Sequence, residues 1–136
     1  MIGVQTKFTP NQLKVQQAVN TAAFKNITHA AFSIRKLAYS RIGTAPKGVP
    51  GPVGKAPHTH RGMFYRRALR VEVDKQKNEA VIGFQKSVIG MAASLHEHGL
   101  RSPDNRFTFP KRPTIGPALD DSLQRIGDQW KGSIGA

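Results

Sequence analysis

Between Asn11 and Ile42 the chain runs through 32 residues without a proline or glycine, and it then meets four prolines and three glycines in the fourteen residues Thr44 to Pro57. The first stretch can be one long helix. The second cannot be a regular element, because proline removes a backbone donor and glycine widens the accessible backbone conformations. Thr9-Pro10 suits the start of the helix, with a hydroxyl that can cap and a proline at the first helical position. Ala23, Ile27, Ala30, Ile34 and Leu37 recur at steps of three and four, with Leu13, Phe24, Ala31, Phe32 and Ala38 beside them, while Lys14, Lys25, Arg35 and Lys36 fall mostly off the stripe. Such a helix would be about 48 Å long, more than the core of a small domain can cover. Part of it is therefore expected to touch another chain, unless it breaks near Asn20 or Asn26-Ile27-Thr28, where helix propensity is weak.

With 136 residues, a single domain is expected over 1–136, carrying a Pro/Gly-rich arm over 43–58. A loop of that length inside a compact domain is more often functional than idle, and Lys47 and Lys55 with no acid beside them suit an arm laid on a neighbouring subunit or on nucleic acid. After the arm, Leu69, Val71 and Val73 alternate with Arg70, Glu72 and Asp74; Lys75 to Asn78 make a turn, and Glu79 to Phe84 return as a second strand of an antiparallel hairpin. Ser87 to His98 reads as a short helix stopped by Gly99, with Met91, Leu95 and Val88 inward. Leu100 to Asn105 is turn material and Phe107 to Phe109 a short strand. From Pro117 to Trp130 an amphipathic helix places Leu119, Leu123, Ile126 and Trp130 on one face, with Asp120 and Asp121 favouring its dipole. The expected fold class is α+β: a long N-terminal helix, an antiparallel β-sheet built on a hairpin, and a C-terminal amphipathic helix packed on the sheet. Phe107, Phe109, Leu119, Leu123, Ile126 and Trp130 are the expected core partners of the hairpin.

The net charge is +13, and its placement is lopsided: all eight acids lie after residue 71, so residues 1–71 carry +12. Solubility alone is one reading, but a solvated face normally interleaves both signs, and an acid-free half attracts phosphate backbones, anionic membranes or an acidic protein surface. No charge-free stretch exceeds ten residues, so no membrane span is expected, and MIGVQTKFTPNQ lacks a cleaved export signal. The absence of cysteine excludes disulfides, thiolate metal sites and cysteine nucleophiles. His58-x-His60 and His96-x-His98 could in principle hold zinc, yet the spacing is weak and no third ligand pattern accompanies it, so no metal or cofactor is expected. Neither a nucleophile elbow nor a phosphate-binding glycine loop is present, and Asp120-Asp121 project about 100° apart, unsuited to an acid–base pair. Glu97, between two histidines, is the one acid with possible partners; no enzyme is expected. Arg61, Arg66, Arg67 and Arg70 interleaved with Phe64 and Tyr65 have the composition of a nucleic-acid face, though strand packing explains the apolar members equally well.

Taken in order, PKGVPGPVGKAPHTHRGMFYRRALRVEV, NEAVIGF, MAASLHEHG and FPKRPTIGPALDDSLQRIGDQW resemble a large family of small phage neck and tail-component proteins. The correspondence runs through Pro57 to Gly62 with Phe64 to Leu69, Val81 to Gly83, His96 to Gly99, and Arg112 to Leu119, and spans about residues 20–131. Met63-Phe64-Tyr65 stands where the family has a polar residue and a leucine, and Thr114 where it has an aromatic. The resemblance implies a non-enzymatic virion protein, assembled in the host cytoplasm. It would form a homo-oligomeric ring, a hexamer or dodecamer, in the head-to-tail connector. Its neighbours would be head-closure, portal or adaptor, tail-terminator or tail-tube proteins, and DNA would pass through the lumen with transient, non-specific contact. Lys47, Lys55, Arg61, Arg66, Arg67 and Arg70 are the candidate inter-subunit or DNA-facing residues. The alternative is a small basic nucleic-acid-binding module.

Overall fold

The computed structural model describes residues 11–60, 64–106 and 108–133; Thr9-Pro10, Arg61 and Phe107 lie outside them. The expected α+β architecture is present. Helix α1 (Asn11–Arg41) is unbroken over 31 residues, so the weak helix formers at Asn20 and Asn26 do not divide it. Its C-terminal half carries the core: Ala30, Ala31, Ile34 and Ala38 are buried. Leu13 and Val15, at the other end, are 68% and 59% exposed. The helix outruns its own domain, as its length of about 46 Å requires.

Strands β1 (Gly43–Thr44) and β2 (His58–Thr59) pair in parallel at the two ends of the Pro/Gly stretch, so the arm is a closed loop pinned at its base. Ala45 N–H donates to Thr59 O at 3.1 Å beside them. Gly43 lies close against the His58 imidazole, since a Cβ there would stand 2.6 Å from His58 Cδ2 and would need that ring to shift. A one-turn helix α2 (Phe64–Arg67) then leads into β3 (Leu69–Asp74), which pairs antiparallel with β4 (Glu79–Phe84) from Leu69↔Phe84 to Asp74↔Glu79. The family-like stretch Phe64 to Leu69 is thus helical turn first and strand only from Leu69. Asp74 Oδ1 accepts from the Gln76 and Lys77 N–H groups at 2.9 and 3.1 Å, and Asn78 takes φ 51°, a left-handed value asparagine tolerates.

The single helix expected over 87–98 is two: α3 (Lys86–Ile89) and α4 (Ala92–His98). Gly90, at φ 58°, donates to Lys86 O and ends the first. The break turns Val88 and Met91 outward, against expectation; Met91 is 60% exposed. Gly99 stops α4 as expected, with φ 71° and its N–H on Leu95 O. Leu100 is not merely turn material: β5 (Leu100–Arg101) pairs antiparallel with β6 (Thr108–Phe109).

Helix α5 (Ile115–Trp130) packs on α1. The residues it buries are Ala118 and Ser122, while Leu119, Leu123 and Trp130 are 41%, 57% and 41% exposed. The expected core face is therefore corrected: of that stripe only Ile126 packs against the central cluster of Ile34, Ala38, Leu69 and Ala118. Small residues on both helices, Ala38 clustered with Ala118 and, farther along α1, Ala30 and Ala31 beside Ile126 and Trp130, allow close approach of the two backbones. The Ser122 hydroxyl donates to Ala118 O within the helix, so its burial leaves no donor unmet.

Candidate functional site

Of the six candidate contact residues, Lys47, Lys55, Arg67 and Arg70 are exposed, and none of the four has an ion pair among the described residues. Lys47 and Lys55 sit on the outer turns of the closed loop. The loop itself is held down: Arg112 Nε donates to Gly51 O at 2.6 Å, and Gly54 N–H donates to Lys111 O at 2.8 Å. Gly51 is buried where a Cβ would lie 2.9 Å from Ala56 O. Arg70 lies on the outward face of the hairpin with Glu72 and Val81. Arg61 falls outside the described residues.

Arg66 has a different task from the one expected. Its Nε and Nη2 both donate to Ile42 O, the Nε at 2.8 Å, and its guanidinium lies 5.3 Å from the centre of the Tyr39 ring. Arg35 does likewise, donating to Leu69 O at 3.0 Å, and Arg41 pairs with Asp121 of α5. Arg66 thus ties α2 to the end of α1, whose last carbonyls want cationic donors, while Arg35 ties α1 to the hairpin and Arg41 ties it to α5. Arg66→Ala should lower stability by about 2 kcal/mol, and Arg67→Ala by less than about 0.5 kcal/mol, as read by urea unfolding. Equal effects of the two would contradict the assignment.

A second cluster gathers around Glu97. Its Oε2 accepts from Thr114 and Ile115 N–H at 2.8 and 3.2 Å, and its Oε1 from Gly116 N–H at 2.7 Å. One carboxylate from α4 therefore caps the start of α5, whose first turn contains no acid of its own. Asp120 and Asp121 lie beyond that turn, and Asp121 faces Arg41 instead. Beside the carboxylate, Phe84, Tyr65, His96 and Phe109 form a row with ring centres 4.6, 5.5 and 5.1 Å apart. The row joins hairpin, α2, α4 and β6 and accounts for His96 as a packed ring. His58 is likewise packed against Gly43. Among the described residues no group of three His or acidic side chains could hold a metal ion.

Burial, and then Glu97's charge, push the Tyr65 phenol well above its ordinary value, with the Thr114 hydroxyl opposing. Burial, and then Arg112, hold His96 below its ordinary value. Stability should consequently fall on both sides of neutrality. Below the ordinary histidine pKa of 6.5 the unfolded chain takes up a proton that folded His96 resists. Above the ordinary tyrosine pKa of 10.0 the unfolded chain releases a proton that folded Tyr65 retains. Melting temperatures across pH should show the acid slope reduced in His96→Phe and the alkaline slope reduced in Tyr65→Phe; unchanged slopes would refute the respective assignment.

No protein-family model, curated protein or solved structure matches the chain. No helix among the described residues is long and apolar enough to cross a membrane. The site therefore rests on its own chemistry: exposed, unpaired cations and exposed apolar side chains. The exposed face of α5 carries Leu119, Leu123 and Trp130 at helical spacing, and α1 extends Leu13 and Val15 into solvent. Sequence reasoning assigned the α5 stripe to the core; the signal that could have separated the two is the small-residue register Ala118-x-x-x-Ser122, one position away.

Proposed function

We propose that the protein is a structural ring subunit of the phage head-to-tail connector, acting by assembly rather than catalysis. One observation carries the reading: α5 leaves Leu119 and Leu123 exposed on a single face, with Trp130 partly exposed at the rim of a cavity it lines with Ile27, Ala30 and Ala31 of α1. An apolar stripe of this kind on a small, highly charged domain fits a surface covered by a neighbouring subunit. The protruding N-terminal turns of α1 supply a second element that a lone copy does not bury. A heterologous contact between different faces closes into a ring when the rotation between subunits divides a full turn. The order of family-like segments supports placing that ring between head and tail, with head-closure, portal or tail-terminator proteins as neighbours.

Imaging of virions with an antibody against this chain tests the reading. Label confined to the neck, with ring symmetry in an averaged reconstruction, is the expected result; absence of the chain from purified virions overturns it. The alternative reading, a basic nucleic-acid-binding module, draws on the exposed cations Lys47, Lys55, Arg67 and Arg70. For that reading the chain would be found with nucleic acid outside the particle.

A further inference from the structure

Lys14, Lys25 and Lys36 are eleven residues apart along α1, and eleven residues make about three helical turns with about 20° of drift. All three are exposed, and no ion pair engages them among the described residues. They form one straight row, turned away from the buried face made by Ala30, Ala31, Ile34 and Ala38. Thr21, His29 and Phe32 lie on the same outward face and are exposed as well. The 31-residue helix contains no acid, so nothing on α1 neutralises the row.

We infer that this row is a contact face for duplex DNA lying alongside α1. From Lys14 to Lys36 the rise is about 33 Å at 1.5 Å per residue, close to the helical turn of B-DNA at about 34 Å. A straight rod laid parallel to the duplex thus brings its outer lysines to equivalent backbone positions one turn apart, with Lys25 between them. Lysine is a flexible point charge on a long stem, suited to phosphates that need not be held in one geometry. A protein partner is the poorer fit: interface centres are depleted in lysine and rich in apolar anchors, whereas among the described residues of this face Phe32 is the one large apolar side chain that is more than half exposed. The contact is sequence-blind, and it uses none of the six loop and hairpin residues the sequence singled out. It goes beyond the ring reading and does not depend on it, since a single copy carries the whole row.

Fluorescence anisotropy of the full chain with a labelled duplex of about three helical turns tests the inference. Lys→Gln at 14, 25 and 36 together should weaken binding at least about tenfold and reduce the log–log salt slope by about 2 to 3, one phosphate contact per lysine. Lys75→Gln with Lys86→Gln, two exposed lysines outside α1, should leave affinity within about twofold. To separate position from net charge, Lys14→Gln with Gln16→Lys moves one charge to the far side of α1. That pair should lose as much affinity as Lys14→Gln alone. Circular dichroism of each variant reports whether α1 is intact, and glutamine for lysine leaves helix propensity nearly unchanged. The inference is overturned if the wild-type chain does not bind the duplex at low salt, if the triple variant binds as well as wild type, or if the relocated lysine restores binding. Polyglutamate competing as well as the duplex also overturns it, in favour of an acidic protein partner. Neck labelling of virions is unaffected by any of these results, so failure here and failure of the ring reading are separable.

Discussion

Glu97→Ala is expected to lower the thermal midpoint by roughly 10 °C, from a loss of about 3 kcal/mol at about 3 °C per kcal/mol for a chain of this size. The carboxylate accepts three consecutive backbone N–H groups, those of Thr114, Ile115 and Gly116. Thr114 is fully buried at the cap position, and its own side chain makes no capping bond. Removing Glu97 therefore strands donors that water reaches poorly and withdraws a negative charge from the positive end of the α5 dipole. Glu97→Gln keeps one acceptor oxygen and should lose about half as much, because the charge is gone and the amide nitrogen cannot accept. The two variants also report on Tyr65. Without the neighbouring charge the phenol is held high by burial alone, the larger cause, so the alkaline loss of stability shrinks without vanishing. A Glu97→Ala midpoint within about 2 °C of wild type would show that the cap is dispensable.

That cap was invisible in the sequence for a physical reason. A helix N-terminus is normally read from the residues adjoining it, but the acceptor here lies 17 to 19 residues upstream on another helix. Local patterning did carry the hairpin, because the alternation in Leu69 to Asp74 and the turn at Lys75 to Asn78 determine the register without help from elsewhere. Helix α1 was legible on the same grounds. The register of α5 was not. Leu119, Leu123, Ile126 and Trp130 outweigh Ala118 and Ser122 on any scale of apolar area, yet α1 presents Ala30, Ala31 and Ala38 along the contact, and close helix approach selects small partners. Arg66 was misplaced because composition reads a guanidinium as a surface cation. In this fold it serves the Ile42 carbonyl and the Tyr39 ring. The folding-down of the Pro/Gly loop likewise depends on a distant residue, Arg112, reaching Gly51.

The misread register leads to the second large effect. On the proposed ring reading, Leu119→Ser with Leu123→Ser should abolish incorporation into virions while moving the melting temperature by no more than a few degrees, since neither residue belongs to the central cluster and Leu123 is 57% exposed. Ala118→Leu makes the opposite pattern: the site is fully buried between α1 and the hairpin, so added methylenes should cost about 1–3 kcal/mol by forcing α5 away from α1. Complementation of a phage lacking the wild-type chain, scored by neck occupancy and infectious titre, separates the two. If α5's apolar stripe is the ring contact, the serine pair yields a folded subunit and tailless or leaky heads, whereas Ala118→Leu loses titre only as far as it loses folded protein. Wild-type incorporation of the serine pair would remove the stripe from the interface and shift the subunit contact to the protruding turns of α1, where Leu13 and Val15 are exposed.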